Sequence, residues 1–206
     1  PRDDARPFRD PLAAAALLPR LRRRPADLAR VGERSYLIVA GAGFDSEVNR
    51  VANQRLSWAK GRARYAGAVL VELAVGRPAG FRLTLDGQAH QLRAWLVAVA
   101  NTQSYGGGMR IAPDARLDDG RLDVVVIGDI GKADFLATFP KVFSGRHVDH
   151  PAVAVHRARR VELAADRSLA VYADGEPAGA LPAVFEVHPA AIAVLAADGA
   201  PAFAAG

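Results

Sequence analysis

The sequence predicts an α+β fold that is mostly β, an antiparallel β-sandwich-like domain with one long helix and one short helix. Short apolar or alternating segments, each bounded by turn residues, fill most of the chain beyond residue 80. Helical spacing of apolar residues is confined to a few stretches. Half of the 206 residues are apolar, which is enough for one sizeable core. Cysteine is absent, so disulfides and thiolate metal sites are excluded.

The first third of the chain mixes helix and strand signals. Leucines at helical spacing predict a short helix within residues 12–30, although Pro19 and Pro25 interrupt it. Residues 36–40 are a continuous apolar run and predict a buried strand that ends at glycines. Apolar spacing from residue 45 to about residue 75 predicts the long helix, with Asp45 or Ser46 as its N-cap.

The remaining elements are mostly strands. The pattern predicts eight of them, at 81–85, 89–100, 122–127, 153–156, 160–163, 169–172, 184–187 and 192–195. The short helix, at 132–143, interrupts the series. Asp-Gly pairs at 86–87, 119–120 and 174–175 are typical of hairpin turns. His147 and His150 lie between Gly145 and Pro151, which favours a loop over a metal site.

Charge is concentrated at the N-terminal end. The chain carries a formal net charge of +5, and nine arginines against five acids place +4 of it in residues 1–34. Arg20, Arg22, Arg23 and Arg24, followed by basic residues at 50–64, could contact an anionic membrane at about 1 kcal/mol per residue. The alternative is an ordinary solvated face. No recognition motif or aromatic platform accompanies the charge, so nucleic acid is not an expected partner.

Two sequence motifs combine glycines, whose backbone is conformationally permissive, with carboxylates. One runs from Tyr105 through Gly106, Gly107 and Gly108 to the acidic turn at residues 118–120, and the other is Asp174-Gly175-Glu176. Glycine allows positive φ and close approach of the backbone to a ligand. Oxygen-rich turns suit a hard cation or a phosphate. Taken singly, each motif is better explained as a plain turn.

Together with Gly43-Phe44-Asp45, these motifs resemble the C-terminal half of the bacterial soluble diacylglycerol kinases. That family also includes sphingosine and ceramide kinases. The resemblance extends from about residue 28 to about residue 195. The Gly-Gly-Asp-Gly-Thr loop with which the family's first domain holds ATP does not occur in this sequence. Residues 1–34 are therefore expected to be a basic, partly helical extension from an N-terminal nucleotide-binding domain, and 35–206 the lipid-kinase C-terminal β-rich domain.

The resemblance implies roles for individual residues. Glu176 corresponds to the family's general base or nucleotide-metal contact. Cofactor binding falls to Asp174, which would share a face with Glu176 on an extended strand, and to Gly175, Gly106, Gly107 and Gly108. The lipid headgroup would be bound by Asp45, Asn101 and Tyr105. A structural magnesium ion would be bound by the Asp119 carboxylate with the carbonyls of Arg116 and Arg121. Plain turn residues, an empty hairpin and a simple helix cap remain the alternatives.

The function implied is transfer of the γ-phosphoryl group of ATP, with Mg²⁺, to a lipid hydroxyl such as that of diacylglycerol. Without its N-terminal nucleotide-binding domain the chain is expected to be inactive. A cytoplasmic location is expected, with peripheral contact to an anionic membrane and a homodimer left open. The alternatives are a non-catalytic lipid- or protein-binding β-domain and a kinase related to the NAD kinases. The basic helix and the Leu-Asp-Asp-Gly turn favour lipid over NAD.

Overall fold

The computed structural model describes residues 11–44, 46–48 and 72–203. Two α-helices are named within this part, α1 (Pro11–Leu17) and α2 (Lys132–Thr138), and 3-10 turns cover Leu18–Arg20, Phe139–Ser144 and Arg146–Asp149. The strands are β1 (Arg22–Val31), β2 (Arg34–Tyr36), β3 (Val39–Gly43), β4 (Ala79–Leu85), β5 (Gln88–Ala100), β6 (Leu122–Gly128), β7 (Val153–Ala158), β8 (Arg160–Ala165), β9 (Ala170–Ala173), β10 (Glu176–Ala180) and β11 (Ala183–Ala196).

All strand pairs are antiparallel, which confirms the predicted mostly-β antiparallel architecture. The main order is β10-β9-β3-β5-β4-β8-β11-β1-β2, and β6 pairs with both β5 and β7. Strand β5 is shared between neighbours, because its residues 88–94 pair with β4 and its residues 96–100 pair with β3. This change of partner along one long strand bends the sheet toward a sandwich with two buried faces.

Each face of the bent sheet has its own core. The first cluster lies inside the curve and includes Phe185, Leu83 and Leu163. The second lies between β3, β5 and β6 and the helical segments, and includes Phe44, Trp95 and Phe135 among others. Fully burying one such side chain stabilises the fold by about 1.5–3 kcal/mol.

Strand β3 lies unusually close to β5 and needs glycine to do so. Gly43 has φ of 105°, and a Cβ at this position would be 2.5 Å from the carbonyl oxygen of Trp95. A Cβ on Gly41 would be 3.3 Å from the carbonyl oxygen of Val97. The close approach of β3 to β5 therefore depends on the absence of a side chain at Gly41 and Gly43.

The predicted helix within residues 12–30 is wrong beyond Arg20. Strand β1 begins at Arg22 and pairs with β11 along almost its whole length, from Arg22 with Ala196 to Val31 with Phe185. Tertiary pairing outweighs local propensity here, because the 14-residue β11 offers a continuous row of backbone partners. Part of the predicted basic extension is thus a strand of the sheet.

Smaller differences have local causes. The predicted strand at 36–40 is split into β2 and β3, and the two predicted strands at 184–187 and 192–195 are one strand that bends at Ala190, where φ is 51°. Strand β10 was not predicted. The helix predicted for 132–143 is α-helical only to Thr138 and continues as a 3-10 turn, where Pro140 lacks an amide proton.

The predicted long helix falls mostly outside the described residues, as does Asp45. Phe44, residues 46–48 and residues 72–75 are helical. Ser46, the alternative cap, donates its hydroxyl to the Gly41 carbonyl at 2.8 Å and so ties this segment back to β3.

Candidate functional site

Half of the predicted site residues lie at one edge of the sheet, which we call the site edge. There the start of β3 (Val39) pairs with the end of β5 (Ala100), and Ala100 pairs with Asp123 at the start of β6. Ala40 pairs with Ala173, so the β9–β10 turn is adjacent. The site edge therefore comprises residues 37–39, Asn101, the turn at 118–123 and the turn at 174–176.

Asp174 holds the loop before β3 in place. Its two carboxylate oxygens accept hydrogen bonds from the backbone amides of Leu37, Ile38 and Val39 at 2.8, 2.9 and 3.1 Å. The residue has φ of 50° and is followed by Gly175 with φ of 84°. The expectation that Asp174 lies on an extended strand beside Glu176 is wrong, because both Asp174 and Gly175 form the hairpin turn.

Glu176 is the exposed first residue of β10. It pairs in register with Ala173, across the two-residue turn. Its carboxylate forms no hydrogen bond or ion pair with the described part of the chain, and no described contact joins it to Asn101 or Asp119. The side chain is therefore available to a ligand that reaches the turn from solvent.

Asn101 is fully buried and fixed at the centre of the site edge. Its side-chain amide donates to the carbonyls of Asp27 and Leu37, each at 3.0 Å. Its backbone amide donates to the Ile38 carbonyl at 2.9 Å. The side-chain oxygen Oδ1 has no hydrogen-bond partner among the described residues, so it is an oriented acceptor.

The glycine loop is a tight, exposed hairpin. Tyr105 and Met109 form a pair of backbone hydrogen bonds, each 3.0 Å long. Gly106, Gly107 and Gly108 have φ of 48°, 78° and 99°, a conformation that glycine adopts without strain. A Cβ on Gly107 or Gly108 would have no neighbour within 4 Å, so the backbone there is open to approach. Tyr105 is half-buried and also lines the cavity described below.

The acidic turn carries an ion pair that the sequence did not indicate. Asp119 accepts a hydrogen bond from the Arg121 amide at 3.0 Å and a second from the guanidinium of Arg157. The same guanidinium lies 3.4 Å from Asp123. Arg157 is on β7, next to β6, and no motif in the sequence links it to the turn.

Asp123 is almost completely buried, and its Oδ2 has no hydrogen-bond partner among the described residues. The pKa of Asp123 is raised to about 6, mainly because the carboxyl group is buried; Arg157 opposes this rise, and the nearby Asp119 and Asp114 add to it. Asp119 and Asp123 thus share one guanidinium. The excess negative charge and the orphaned oxygen fit a hard cation bound between Asp119 and Asp123, with backbone carbonyls completing its ligands.

Side chains alone do not form a metal centre here. Across residues 11–44, 46–48 and 72–203, no group of three or more His, Cys, Asp or Glu has metal-binding geometry. A cation at the turn would need the carbonyls of Arg116 and Arg121, as the sequence led us to expect.

Asp27 is the buried residue that organises the site edge. Its carboxylate accepts hydrogen bonds from the amides of Gly120 at 2.6 Å and Ala190 at 2.8 Å. Its backbone amide donates to the Leu117 carbonyl at 2.6 Å, and its carbonyl binds Asn101. Asp27 was not among the predicted site residues, because its segment was predicted to be an extension outside the domain. A single acid within a basic, apolar stretch was the available signal.

An apolar cavity of about 50 Å³ lies on the helix-covered face, beyond the glycine loop. A cluster of aromatic rings stands on one side, with Phe44 and Phe135 4.7 Å apart and Trp95 and Phe135 5.3 Å apart. The lining residues are Phe44, Val48, Leu96, Tyr105, Met109, Ile111, Ile127, Ile130, Phe135, Thr138, Phe139, Val142 and His147.

With this geometry established, comparison with known proteins is informative. The family profile of the YegS C-terminal NAD kinase beta sandwich-like domain matches residues 38–196. The chain belongs to this family. The sequence resemblance to the C-terminal half of the bacterial diacylglycerol kinases is thereby confirmed.

Two relatives illustrate the extent of the match. The chain is 40% identical over 195 residues to the diacylglycerol kinase of Mycobacterium tuberculosis, covering 92% of this chain and 62% of that protein. It is 27% identical over 162 residues to the diacylglycerol kinase of Bacillus subtilis, covering 79% of this chain and 54% of that protein. The chain therefore spans less than two thirds of the length of each of these relatives.

Solved structures share the fold. A crystal structure of a candidate diacylglycerol kinase from Bacillus anthracis superposes with a TM-score of 0.70 at 24% identity, covering 93% of this chain and 63% of that one. A second diacylglycerol kinase structure from the same organism has a TM-score of 0.63 at 20% identity, covering 93% of this chain and 61% of that one. Within the described residues, no helix is long and apolar enough to cross a membrane.

Proposed function

We propose that this chain is the lipid-binding and catalytic-base half of an ATP-dependent lipid kinase of the diacylglycerol-kinase type. The observation that carries the proposal is the site edge: an exposed, unpaired Glu176 lies on the same edge as the oriented Asn101 amide and the acidic turn. The family to which the chain belongs, and the relatives named diacylglycerol kinase, support this reading.

In the proposed reaction the Glu176 carboxylate accepts the proton of a lipid hydroxyl as its oxygen attacks the γ-phosphorus of ATP. A positioned general base of this kind typically contributes a factor of a hundred to ten thousand in rate. Asp174 and Gly175 contribute by fixing the turn that presents Glu176. Gly106, Gly107 and Gly108 would let phosphate oxygens approach the open backbone of their loop.

The Asp119 turn is the proposed magnesium site. Its ligands would be the Asp119 carboxylate, the carbonyls of Arg116 and Arg121, and the orphaned oxygen of Asp123. When bound, the cation would supply positive charge that offsets the acidic turn and the phosphates of ATP. Arg157 already neutralises part of that charge, so we expect weak, millimolar binding.

The apolar cavity is the proposed site for the end of an acyl chain, and Asn101 and Tyr105 would bind the headgroup before it. Asp45, the third predicted headgroup ligand, lies outside the described residues. Across the sheet, three strand spacings separate β10, which carries Glu176, from β5. Along the strands, the cavity residues Leu96 on β5 and Ile127 on β6 lie three residues away from the level of Glu176. Strand geometry puts the two sites on the order of 15 Å apart, about the length of a dodecanoyl chain.

An N-terminal nucleotide-binding domain is the proposed partner, and it supplies most of the ATP contacts. Residues 1–34 would connect to it and 35–206 would form the lipid-kinase domain, with the difference that Arg22–Val31 also belongs to the sheet. The relatives, which are longer than this chain, support a missing half. The isolated chain should therefore bind ATP weakly and phosphorylate nothing.

The proposal is tested by fusing the chain to the remaining N-terminal part of the Mycobacterium tuberculosis diacylglycerol kinase. ATP-dependent phosphorylation of a short-chain diacylglycerol should appear in the fusion and be absent from the chain alone. A correctly folded, ATP-binding fusion that leaves diacylglycerol unmodified would favour a non-catalytic binding domain. Sub-micromolar ATP affinity of the isolated chain would contradict the two-domain reading.

A further inference from the structure

The helical segment 132–144, which joins α2 to the 3-10 turn after it, is largely apolar on two opposite faces. The inner face lines the cavity with four residues, Phe135, Thr138, Phe139 and Val142. The outer face, which we call the outer stripe, is exposed to solvent and uncharged, and it consists of Ala133, Leu136, Ala137, Pro140 and Phe143. Both sets recur every three or four residues, as one face of a helix does. In the outer stripe, Leu136 is 48% exposed and Phe143 is 51% exposed.

The outer stripe calls for a partner that accepts a small apolar area. A helix that is apolar on all sides is normally buried, so an exposed apolar face marks a surface that something else covers. Leu136 and Phe143 together expose on the order of 200 Å² of apolar surface. Each side of a stable protein interface contributes about 800 Å². A bilayer sets no such minimum, because Leu and Phe side chains of a helix that lies in the interface insert individually.

Positive charge flanks the outer stripe. Lys132 is exposed at its start, and Lys141 is exposed toward its end. The Lys141 side chain forms no hydrogen bond or ion pair with the described residues. The single acid in 132–144 is Asp134, whose carboxylate lies 3.2 Å from Nε2 of His150. Two lysines against one aspartate leave the segment at +1, which complements an anionic surface.

We propose that the outer stripe docks on an anionic lipid bilayer. Leu136 and Phe143 insert among the acyl chains, and Lys132 and Lys141 lie at the level of the phosphate groups. The choice of a bilayer over a soluble partner rests on the proposed function, because a lipid substrate resides in a membrane. Segment 132–144 is then the wall between the membrane and the apolar cavity. Its apolar contact supplements the attraction expected of the basic N-terminal residues, since stable attachment needs two such signals.

The absence of cysteine from the chain allows a single label to report on this face. The label is an environment-sensitive fluorophore on Phe143→Cys, and the vesicles contain equal phosphatidylglycerol and phosphatidylcholine. Its emission should shift to the blue on the vesicles, and doxyl-labelled lipid should quench it. Val155→Cys is the control, because Val155 is 43% exposed but lies on β7, and its label should stay in water. No shift at Phe143→Cys, or equal shifts at both positions, would overturn the proposal. A shift without vesicles would also overturn it and would assign the stripe to a second copy of the chain.

Affinity and activity separate this proposal from the proposed function. Leu136→Gln and Phe143→Gln should each weaken vesicle binding about fivefold to tenfold, and Val155→Thr should not. In the fusion with the Mycobacterium tuberculosis N-terminal part, turnover of diacylglycerol in vesicles should fall in the two variants, and turnover of soluble short-chain diacylglycerol should stay native. Native vesicle binding in both variants would overturn the proposal. Vesicle binding that behaves as expected in a fusion that phosphorylates nothing would instead contradict the proposed function alone.

Discussion

Asp27 and Asp174 perform the same task from opposite sides of the site edge. Each uses a carboxylate to bind backbone amides, Asp27 those of Gly120 and Ala190 and Asp174 those of residues 37–39. Charge-assisted hydrogen bonds to backbone amides are about twice as strong as neutral ones. These two residues therefore fix the backbone positions of Asn101, Asp119 and Glu176.

His147 should make the stability of the folded chain depend on pH. Because burial lowers its pKa below the unfolded value, the unfolded chain binds the proton first as pH falls. Stability from this residue is complete above about pH 6.5, the ordinary value for histidine, and is lost at lower pH.

His147→Gln keeps a donor for the Ile111 carbonyl and cannot titrate. The melting temperature of the native chain should fall more steeply than that of His147→Gln between pH 7.5 and 5. Parallel curves would show that His147 does not couple to folding.

At the scale of elements, β3 depends on its glycines. Gly43→Ala introduces a Cβ 2.5 Å from a backbone oxygen at φ of 105°, and both the overlap and the strained backbone cost free energy. We expect a loss of about 3 kcal/mol or more in the free energy of unfolding. Gly87→Ala is the matched control, since φ is 91° but no atom lies within 4 Å, and it should lose only about 1 kcal/mol. Equal losses in chemical denaturation would contradict the close packing of β3 on β5.

Binding of Mg²⁺ at the acidic turn can be tested without an assay of kinase activity. A folded turn that binds Mg²⁺ is stabilised by mass action, so 10 mM MgCl₂ should raise the melting temperature by about 3–6 °C if the dissociation constant is near 1 mM. Asp119→Ala should abolish the rise, and Arg157→Gln should enlarge it by removing the competing guanidinium. Asp86→Ala alters another Asp-Gly turn and should leave the response intact. A native response in Asp119→Ala would place the ion elsewhere.

Individual strands and site residues show which signals in the sequence were sufficient to predict them. The Asp-Gly turns that join β4 to β5 and β9 to β10 mark the ends of these strands in the sequence. Of these four strands, β10 was not predicted, because Pro177 and Gly179 leave it without an apolar pattern. Strand β1 could not be predicted, because its conformation comes from β11, some 160 residues later. Arg157 and Asp27 could not be predicted for a similar reason, because their partners are also distant in the sequence, 38 residues away for Asp119 and 93 for Gly120. The glycine loop, Asp119 and Glu176 were found because their motifs are local.

For the molecule as a whole, the basic N-terminal residues are the candidate membrane contact. Arg20, Arg22 and Arg23 are exposed beside the start of β1. Replacing all three by glutamine should weaken binding to vesicles containing phosphatidylglycerol by roughly a hundredfold at low salt, at about 1 kcal/mol per residue. The same change at exposed Arg82, Arg110 and Arg146 alters net charge equally and should have a smaller effect. Equal losses in a flotation assay would indicate a non-specific charge effect.

The central claim is that this chain contributes the catalytic base of a two-domain lipid kinase. In the fusion with the Mycobacterium tuberculosis N-terminal part, the direct measurement is turnover of diacylglycerol by Glu176→Gln, with Glu33→Gln, another exposed turn glutamate, as the control. We predict a fall of roughly a hundredfold or more in kcat for Glu176→Gln with an unchanged melting temperature, and native turnover for Glu33→Gln. Native turnover in Glu176→Gln would remove this residue from the chemistry and contradict the account.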